Sequence, residues 1–438
     1  MTQFATGTPV TTRRIVAMWW PLAGSWLLMG LELPAVSAIM ARLPNPEASL
    51  AAYGGVVFPL ALIIEAPIIM LLAASTALSR DWASYVLIRR VMTLAGAALT
   101  LLHALIAFTP LFDVVVTGWM GAPEPIREPA RLGLMIMTPW TWSIAYRRFQ
   151  QGVLIRYGQS RAVMVGTMVR LGVNVAVLTV GYVWGRFEGI VVGTAAVSLG
   201  VLAEAVVIGL WVRPVVRDSL RPAPPLEDVL TLRKFLVFYT PLALTSLIAL
   251  TTMPLVSAAI ARMPLAVSSM AVIPVLHGLT FLLRSLGFSF NEVVVALLDE
   301  PGAYHPLRRF ATGLAGFNSA VLLLLAATPL GWIYFAVVAS LDESLVTLGR
   351  TALWIVVPMP ALAVIQHFLQ GVLVHARRTV PITESVMVSF AGIVAGLVAG
   401  VIHGGITGLY VGMGAYVFGN LLGVAWLFQR SRSSRHAL

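Results

Sequence analysis

The sequence predicts an all-α polytopic membrane protein with about twelve transmembrane helices, arranged as two parallel six-helix repeats. Three observations carry that prediction. Of the 438 residues, 59% are hydrophobic and only 11% charged, with a mean hydropathy of +0.90. A water-soluble domain carries about 25% charged residues. The apolar residues are gathered into runs long enough to cross the hydrocarbon, for which about 20 residues suffice. Finally, the two halves of the chain carry the same short motifs in the same order.

The apolar runs place the first six spans near 15–41, 52–79, 92–117, 132–155, 162–185 and 189–212. The second six lie near 235–261, 267–298, 310–337, 351–374, 382–402 and 406–428. A polar tail ends at Arg13-Arg14 and leads into a mostly apolar run. That run is too long for a signal-peptide core and has no small-residue cleavage pattern, so it reads as the first span. The net charge of +11 follows from topology rather than from a nucleic-acid partner. Of the 29 Lys and Arg residues, 21 fall at the termini, after even-numbered spans or, like Arg147, Arg148 and Arg156, at or inside the end of one; 6 fall on the opposite side, and Arg170 and Arg284 within spans. The positive-inside rule then places both termini in the cytoplasm of a cell (inner) membrane.

The repeats follow from direct matches. PAVSAIMARLP (34–44) answers PLVSAAIARMP (254–264) at an offset of 220. At 219, FQQGVL (149–154) answers FLQGVL (368–373), TPL (109–111) answers TPL (328–330), and Arg89-Arg90 answers Arg308-Arg309. Pro139 answers Pro358, and EGIVVG (188–193) answers TGLYVG (407–412). One indel near the first loop accounts for the changed offset. Six spans is an even number, so both copies insert the same way up. The expected lobes are 1–212 and 235–438, joined by a cytoplasmic linker, 213–234, that includes RPVVRDSLRPAPPLEDV. Two equal lobes on a hinge suit rocking-type alternating access better than a channel or a membrane enzyme.

With no cysteine there are no disulfides and no thiol chemistry. No Walker loop, H-E-x-x-H pair or acidic metal cluster is present, so neither ATP as driver nor catalysis is expected. The expected partners are the bilayer and a small-molecule substrate, with no nucleic acid, for a chain acting as a monomer without cofactor. H⁺ or Na⁺ would be transported rather than resident.

The local motifs resemble a known family. The first span opens WWPLAGSWLL (Pro21), repeated as YTPLALTSLI (Pro241), and leads to LAAYGGVVFPL; TPL closes span 3; QGVLIRYG (151–158) follows span 4. This pattern is similar to the multidrug and toxin extrusion (MATE) type within the multidrug/oligosaccharidyl-lipid/polysaccharide (MOP) flippase superfamily. LAAYGGVVFPLALIIEAPI also resembles the progressive-ankylosis-type branch, associated with export of small anions. The resemblance implies a V-shaped pair of six-helix lobes and export driven by H⁺ or Na⁺. Family members carry an aspartate in the first span, roughly where this chain has Glu32-Leu33-Pro34, so Glu32 is the implied coupling residue. Rival readings are a lipid-linked precursor flippase and an uncoupled anion exporter or channel.

Charges at mid-bilayer cost about 2.5–3.5 kcal/mol even on lenient scales, so they mark the interior or a wet surface. Glu32 and Glu65 are the candidate ion-coupling groups. His277, Arg284 and Asn291 are spaced by seven in span 8 and form one polar stripe, since seven residues turn a helix by only about 20°. They are expected either to lock span 8 within its lobe or to line a cavity. Arg170 and Asn174 sit one turn apart in span 5, with Arg170 expected to snorkel. Glu204 reads as an intra-lobe hydrogen-bonding group and His103 as a satisfied structural histidine. Glu65 and Arg284 are 219 apart and are expected either to pair across the lobes in one access state or to be satisfied each in its own lobe.

Overall fold

The computed structural model describes residues 10–298, 300–376, 378 and 380–436. It is 85% helical, with no strand among the described residues. The helices of the first repeat are α1 (Thr12–Met40), α2 (Pro46–Glu65), α3 (Trp82–Phe108), α4 (Glu124–Arg156), α5 (Ser160–Trp184) and α6 (Gly189–Leu220). Those of the second are α7 (Leu232–Ile260), α8 (Ala266–Leu297), α9 (Tyr304–Ala327), α10 (Glu343–His375), α11 (Val380–His403) and α12 (Gly408–Arg430). Eleven are long and apolar enough to cross a membrane. The remaining one, α4, is 33 residues long, about 50 Å at 1.5 Å per residue. It carries more charge than the others, with Arg131, Arg147 and Arg148 among its residues.

Helix ends have local causes. Asp81 caps α3: its Oδ1 accepts from the Ser84 amide at 2.9 Å, while the Asp81 amide donates to Ser84 Oγ at 3.1 Å. Thr231 caps α7 through the Lys234 amide. Left-handed glycines, Gly185 (φ 66°) and Gly404 (φ 68°), end α5 and α11. Without a Cβ, glycine adopts that conformation at no steric cost. These two glycines are 219 apart, and other left-handed residues pair the same way. Gly121 (φ 69°) matches Ser340 (φ 53°) at 219, and Asn45 (φ 53°) matches Leu265 (φ 56°) at 220. Left-handed leucine and serine are sterically unfavourable, so at these turns the repeated geometry prevails over the local residue. π-Helical turns after α3 (Asp113–Trp119) and α9 (Ile333–Val338) repeat as well.

Several helices are broken. α1 is interrupted at Leu31, α8 at Ser289 and α10 at Val357-Pro358. α2 stops at Glu65 and resumes as Leu71–Leu78; Pro67 lies in the gap and has no N–H to continue the ladder. The expected linker 213–234 is partly helical. α6 runs through Pro214 to Val215 and continues as a π turn to Leu220. The prolines that end it, Pro222, Pro224 and Pro225, come later.

By packing, the chain divides into a central unit, Ala35–Pro274, and a terminal unit, Met1–Pro34 with Val275–Leu438. This is a different division from the repeats: α1 up to Pro34 belongs with second-repeat helices, and α7 with first-repeat helices. In the terminal unit, Trp19 Nε1 donates to the Leu286 carbonyl at 2.9 Å and Arg14 pairs with Glu300 at 2.6 Å. Its core gathers Ile15, Phe290, Leu307 and Val372. In the central unit, the Tyr239 hydroxyl of α7 donates to the Pro67 carbonyl at 2.5 Å. Each unit also shows why its Q-G motif needs glycine. A Cβ at Gly152 would lie 2.5 Å from the Leu72 carbonyl oxygen, and one at Gly371 would lie 3.2 Å from that of Asn291. Leu72 and Asn291 are themselves 219 apart, so the same helix–helix contact is made twice.

Candidate functional site

In the central unit, a charged network joins α4, α5 and α6. Glu204 of α6 is fully buried. Its Oε2 accepts from Arg147 Nη1 at 2.8 Å and lies 3.7 Å from Arg170 Nε; its Oε1 accepts from Gln151 Nε2 at 2.9 Å. Arg147 and Gln151 are one turn apart and share a face of α4. Small residues let the helices close around these groups. A Cβ at Gly166 would sit 3.2 Å from Glu204 Cγ, and one at Gly200 only 1.8 Å from Asn174 Oδ1. Glu65 and Arg148 extend the network: Glu65 is 3% exposed, Arg147 and Arg148 act on it electrostatically, and its Oε2 has no hydrogen-bond partner.

The structure thus brings Arg170, Asn174, Glu204 and Glu65 of the expected site residues into one unit. Arg170 does not snorkel, because Glu204 holds its guanidinium inside, with 12% of the side chain exposed. Arg147 and Arg148, which the charge tally assigns to the cytoplasmic side although they sit inside expected span 4, lie within α4. Their signal in the sequence was the one-turn spacing of Arg147 and Gln151 ahead of the repeated glycine. His103 is satisfied at both nitrogens. Its Nε2 lies 3.0 Å from the Leu134 carbonyl and its Nδ1 2.9 Å from Thr141 Oγ1. A carbonyl only accepts, so Nε2 carries the proton and Nδ1 accepts from threonine.

The terminal unit presents a different surface. His277, Phe281, Arg284, Phe288 and Asn291 are half-buried along α8, at the three- and four-residue steps of one helix face. The Arg284 guanidinium lies 5.7 Å from the Phe288 ring centre and 5.6 Å from that of Tyr416, whose hydroxyl is 3.4 Å away. Its Nε has no hydrogen-bond partner. The Phe288 ring also meets His367 at 4.9 Å and Trp26 at 5.4 Å. His367 was not singled out from the sequence; its ring Nδ1 lies 2.8 Å from the Ala363 carbonyl. Glu32 starts the second segment of α1 and is half-buried. The chain on either side of it follows α8: Gly30 packs on Leu282 and Pro34 on Gly278. Glu384, near the start of α11, is held by Arg430 at 2.8 and 2.9 Å and by Trp426 Nε1 at 2.9 Å.

No protein-family model matches the sequence, and no curated protein matches it by sequence. Solved structures do match. An inward-facing conformation of a multidrug resistance MATE family transporter of the MOP superfamily aligns with a TM-score of 0.73 at 15% identity, covering 96% of this chain and 98% of that one. An outward-facing conformation of a transporter so described gives 0.63 at 18%, covering 97% and 95%. A MATE structure in complex with MaL6 gives 0.64 at 16%, covering 96% of each chain. This chain has the MATE fold. The likeness runs nearly end to end, as the motifs Pro21, TPL and QGVLIRYG led one to expect. At these identities it is a likeness of fold.

Proposed function

We propose that this chain is a secondary active exporter of a small organic solute, working by alternating access on an H⁺ or Na⁺ gradient. It would act as a monomer in a cell (inner) membrane with both termini cytoplasmic. The observation that supports this most is the MATE fold over nearly the whole chain, whose solved examples include inward- and outward-facing conformations. The duplicated six-helix architecture, with broken helices α1, α2, α8 and α10, suits such a cycle.

In this reading Glu32 and Glu65 are the coupling carboxylates, and the α8 stripe contacts the substrate. Glu32 follows the helix break at Leu31 and lies between Gly30 and Pro34, which pack on α8. Glu65 has an oxygen without a hydrogen-bond partner, a place where a proton or Na⁺ can be accepted. The stripe of Arg284, His277 and His367 among Phe281, Phe288, Trp26 and Tyr416 favours an anionic group on an apolar or aromatic body. Guanidinium supplies directed donors to an anion, and the rings supply apolar contact. The resemblance to the progressive-ankylosis-type branch points the same way. The Arg284 charge also supports the second reading, an uncoupled anion exporter or channel.

Uptake into proteoliposomes against paired anionic and cationic aromatic solutes, under imposed pH or Na⁺ gradients, tests both. Coupled export is expected to fail in Glu32→Gln while the protein remains folded. Full gradient coupling in that variant would remove Glu32 from the mechanism, and transport indifferent to either gradient would favour the uncoupled reading.

A further inference from the structure

Away from that stripe, a cavity of about 400 Å³ opens at the end of α6, lined by residues that include Tyr85, Tyr146, Gln150, Arg213, Arg217 and Arg221. The three arginines are spaced by four, so a helix carries them along one side, and the chain is helical through Val215 and π-helical to Leu220. Like charges at that spacing repel. Arg217 is neutralised by Asp218 at 2.6 and 2.9 Å. Arg221 lies 4.8 Å over the ring of Trp82. Neither Arg213 nor Arg221 has a carboxylate partner among the described residues.

The floor is polar and buried. Gln150 is 3% exposed, with Nε2 3.5 Å from the Tyr85 hydroxyl and Oε1 without a partner. Tyr146 places its hydroxyl against α6, where a Cβ at Gly209 would lie 2.6 Å from it. Guanidinium walls call for an anion, and an unanswered amide oxygen below them calls for a hydroxyl donor. A phosphate accepts from arginine in fixed, directed geometry, and a hydroxyl on the same ligand would donate to Gln150.

We propose that this cavity binds a phosphate ester carrying a free hydroxyl, of the phosphoglycerol kind. Its position fits a lipid head group: Trp82 opens α3 and Tyr85 follows, as aromatic residues do where a helix enters the bilayer. Basic pockets at such helix ends hold anionic head groups. Soluble glycerol phosphate offers the same chemistry. Either ligand would fasten the start of the linker to α3, adding to the Arg221–Trp82 contact and to the Leu226 amide, which donates to Asp81 Oδ2 at 3.4 Å.

The test uses the full chain in nanodiscs of phosphatidylcholine, with or without phosphatidylglycerol, and with or without sn-glycerol 3-phosphate in the buffer. A rise in melting temperature with phosphatidylglycerol is expected, lost in Arg213→Gln and Arg221→Gln, reduced in Gln150→Met and kept in Arg161→Gln, an exposed cation outside the cavity lining. A rise with glycerol phosphate alone, lost in the same variants, would identify the soluble source. Should Arg221→Gln fail to fold for want of its Trp82 contact, Arg213→Gln decides, since Arg213 has no such contact. Stabilisation by neither ligand, or stabilisation that Arg213→Gln leaves intact, overturns the proposal. Neither readout depends on transport.

Discussion

Replacing Glu204 with glutamine keeps the side-chain volume and removes its charge. Gln151 can still donate to the new amide oxygen. Arg147, only 6% exposed, loses its counter-ion at 2.8 Å, and Arg170 loses its own at 3.7 Å. Breaking a buried pair by removing one partner costs about 3–5 kcal/mol, because a charge is left without compensation. For a unit of this size, 1 kcal/mol shifts Tm by about 2–4 °C, so Glu204→Gln should lower the melting temperature by roughly 6–20 °C. Size-exclusion profiles of detergent-purified protein after heating would measure it. Replacing both partners, Arg147→Met with Glu204→Leu, should recover much of the loss, since an apolar pair of similar volume is often neutral or better. A drop under about 2 °C in Glu204→Gln, below the lower bound of that estimate, would mean that water or another group already neutralises these arginines, and would refute the dry-network argument.

Gly200→Ala should destabilise by about 1–3 kcal/mol through overpacking, because Asn174 must turn away. Gly172→Ala, with nothing within 4 Å of the added carbon, should be neutral or stabilising in the same melting assay. Asp81 is subject to burial, which raises its pKa, but the hydrogen bonds from Ser84 and from the Leu226 amide outweigh this and hold it below the ordinary 3.8. Its contribution is therefore full above the unfolded value and lost as pH falls through the folded one. Asp81→Asn should flatten the stability profile below about pH 4, and a profile unchanged there would count against the cap. Glu65→Gln and Arg284→Gln, singly, together and as a charge swap, should give additive losses without recovery. Glu65 has Arg147 and Arg148 in its own unit, and Arg284 has Phe288 and Tyr416 in its own. Recovery in the swap would instead establish a pair between the repeats.

What was legible in the sequence is what repeats or is local. Apolar run length located the spans, and offsets of 219 and 220 anticipated element bounds such as Glu124 with Glu343 and Gly189 with Gly408. The break at Pro67 could be read from the missing N–H, whereas those at Leu31 and Ser289 could not, because neither position holds a proline. Hydropathy put Arg147 inside span 4 but could not say what makes its burial there tolerable. The partner that makes its burial tolerable, Glu204, is 57 residues away. The same blindness made Arg170 look like a snorkelling residue. Nor could local pattern tell that α1 packs with the second repeat's helices, since an apolar face does not name what covers it.

The repeats agree in backbone and differ in charge, and the difference bears on function. At the 219 offset, Glu204 answers to Gly423, Arg170 to Ser389, Arg147 to Gln366, Arg148 to His367 and Glu65 to Arg284. Where the central unit holds Arg170 on Glu204, the terminal unit packs α11 on α12 so closely that a Cβ at Gly423 would meet the Ser385 carbonyl at 3.0 Å. Where the central unit sets Glu65 against Arg148, the terminal unit sets both Arg284 and His367 against the Phe288 ring. One arrangement has its counter-ion built in; the other has none among the described residues. The aromatic faces beside Arg284 return about 0.5–2 kcal/mol, against several kcal/mol for withdrawing a charge from water. That shortfall is kept small by leaving the stripe half-buried, and an anion beside the guanidinium would reduce it further. A site whose arginines already face carboxylates gains less from an anion. In the proposed exporter, an organic anion would gain more beside Arg284 on α8, which has no carboxylate partner among the described residues.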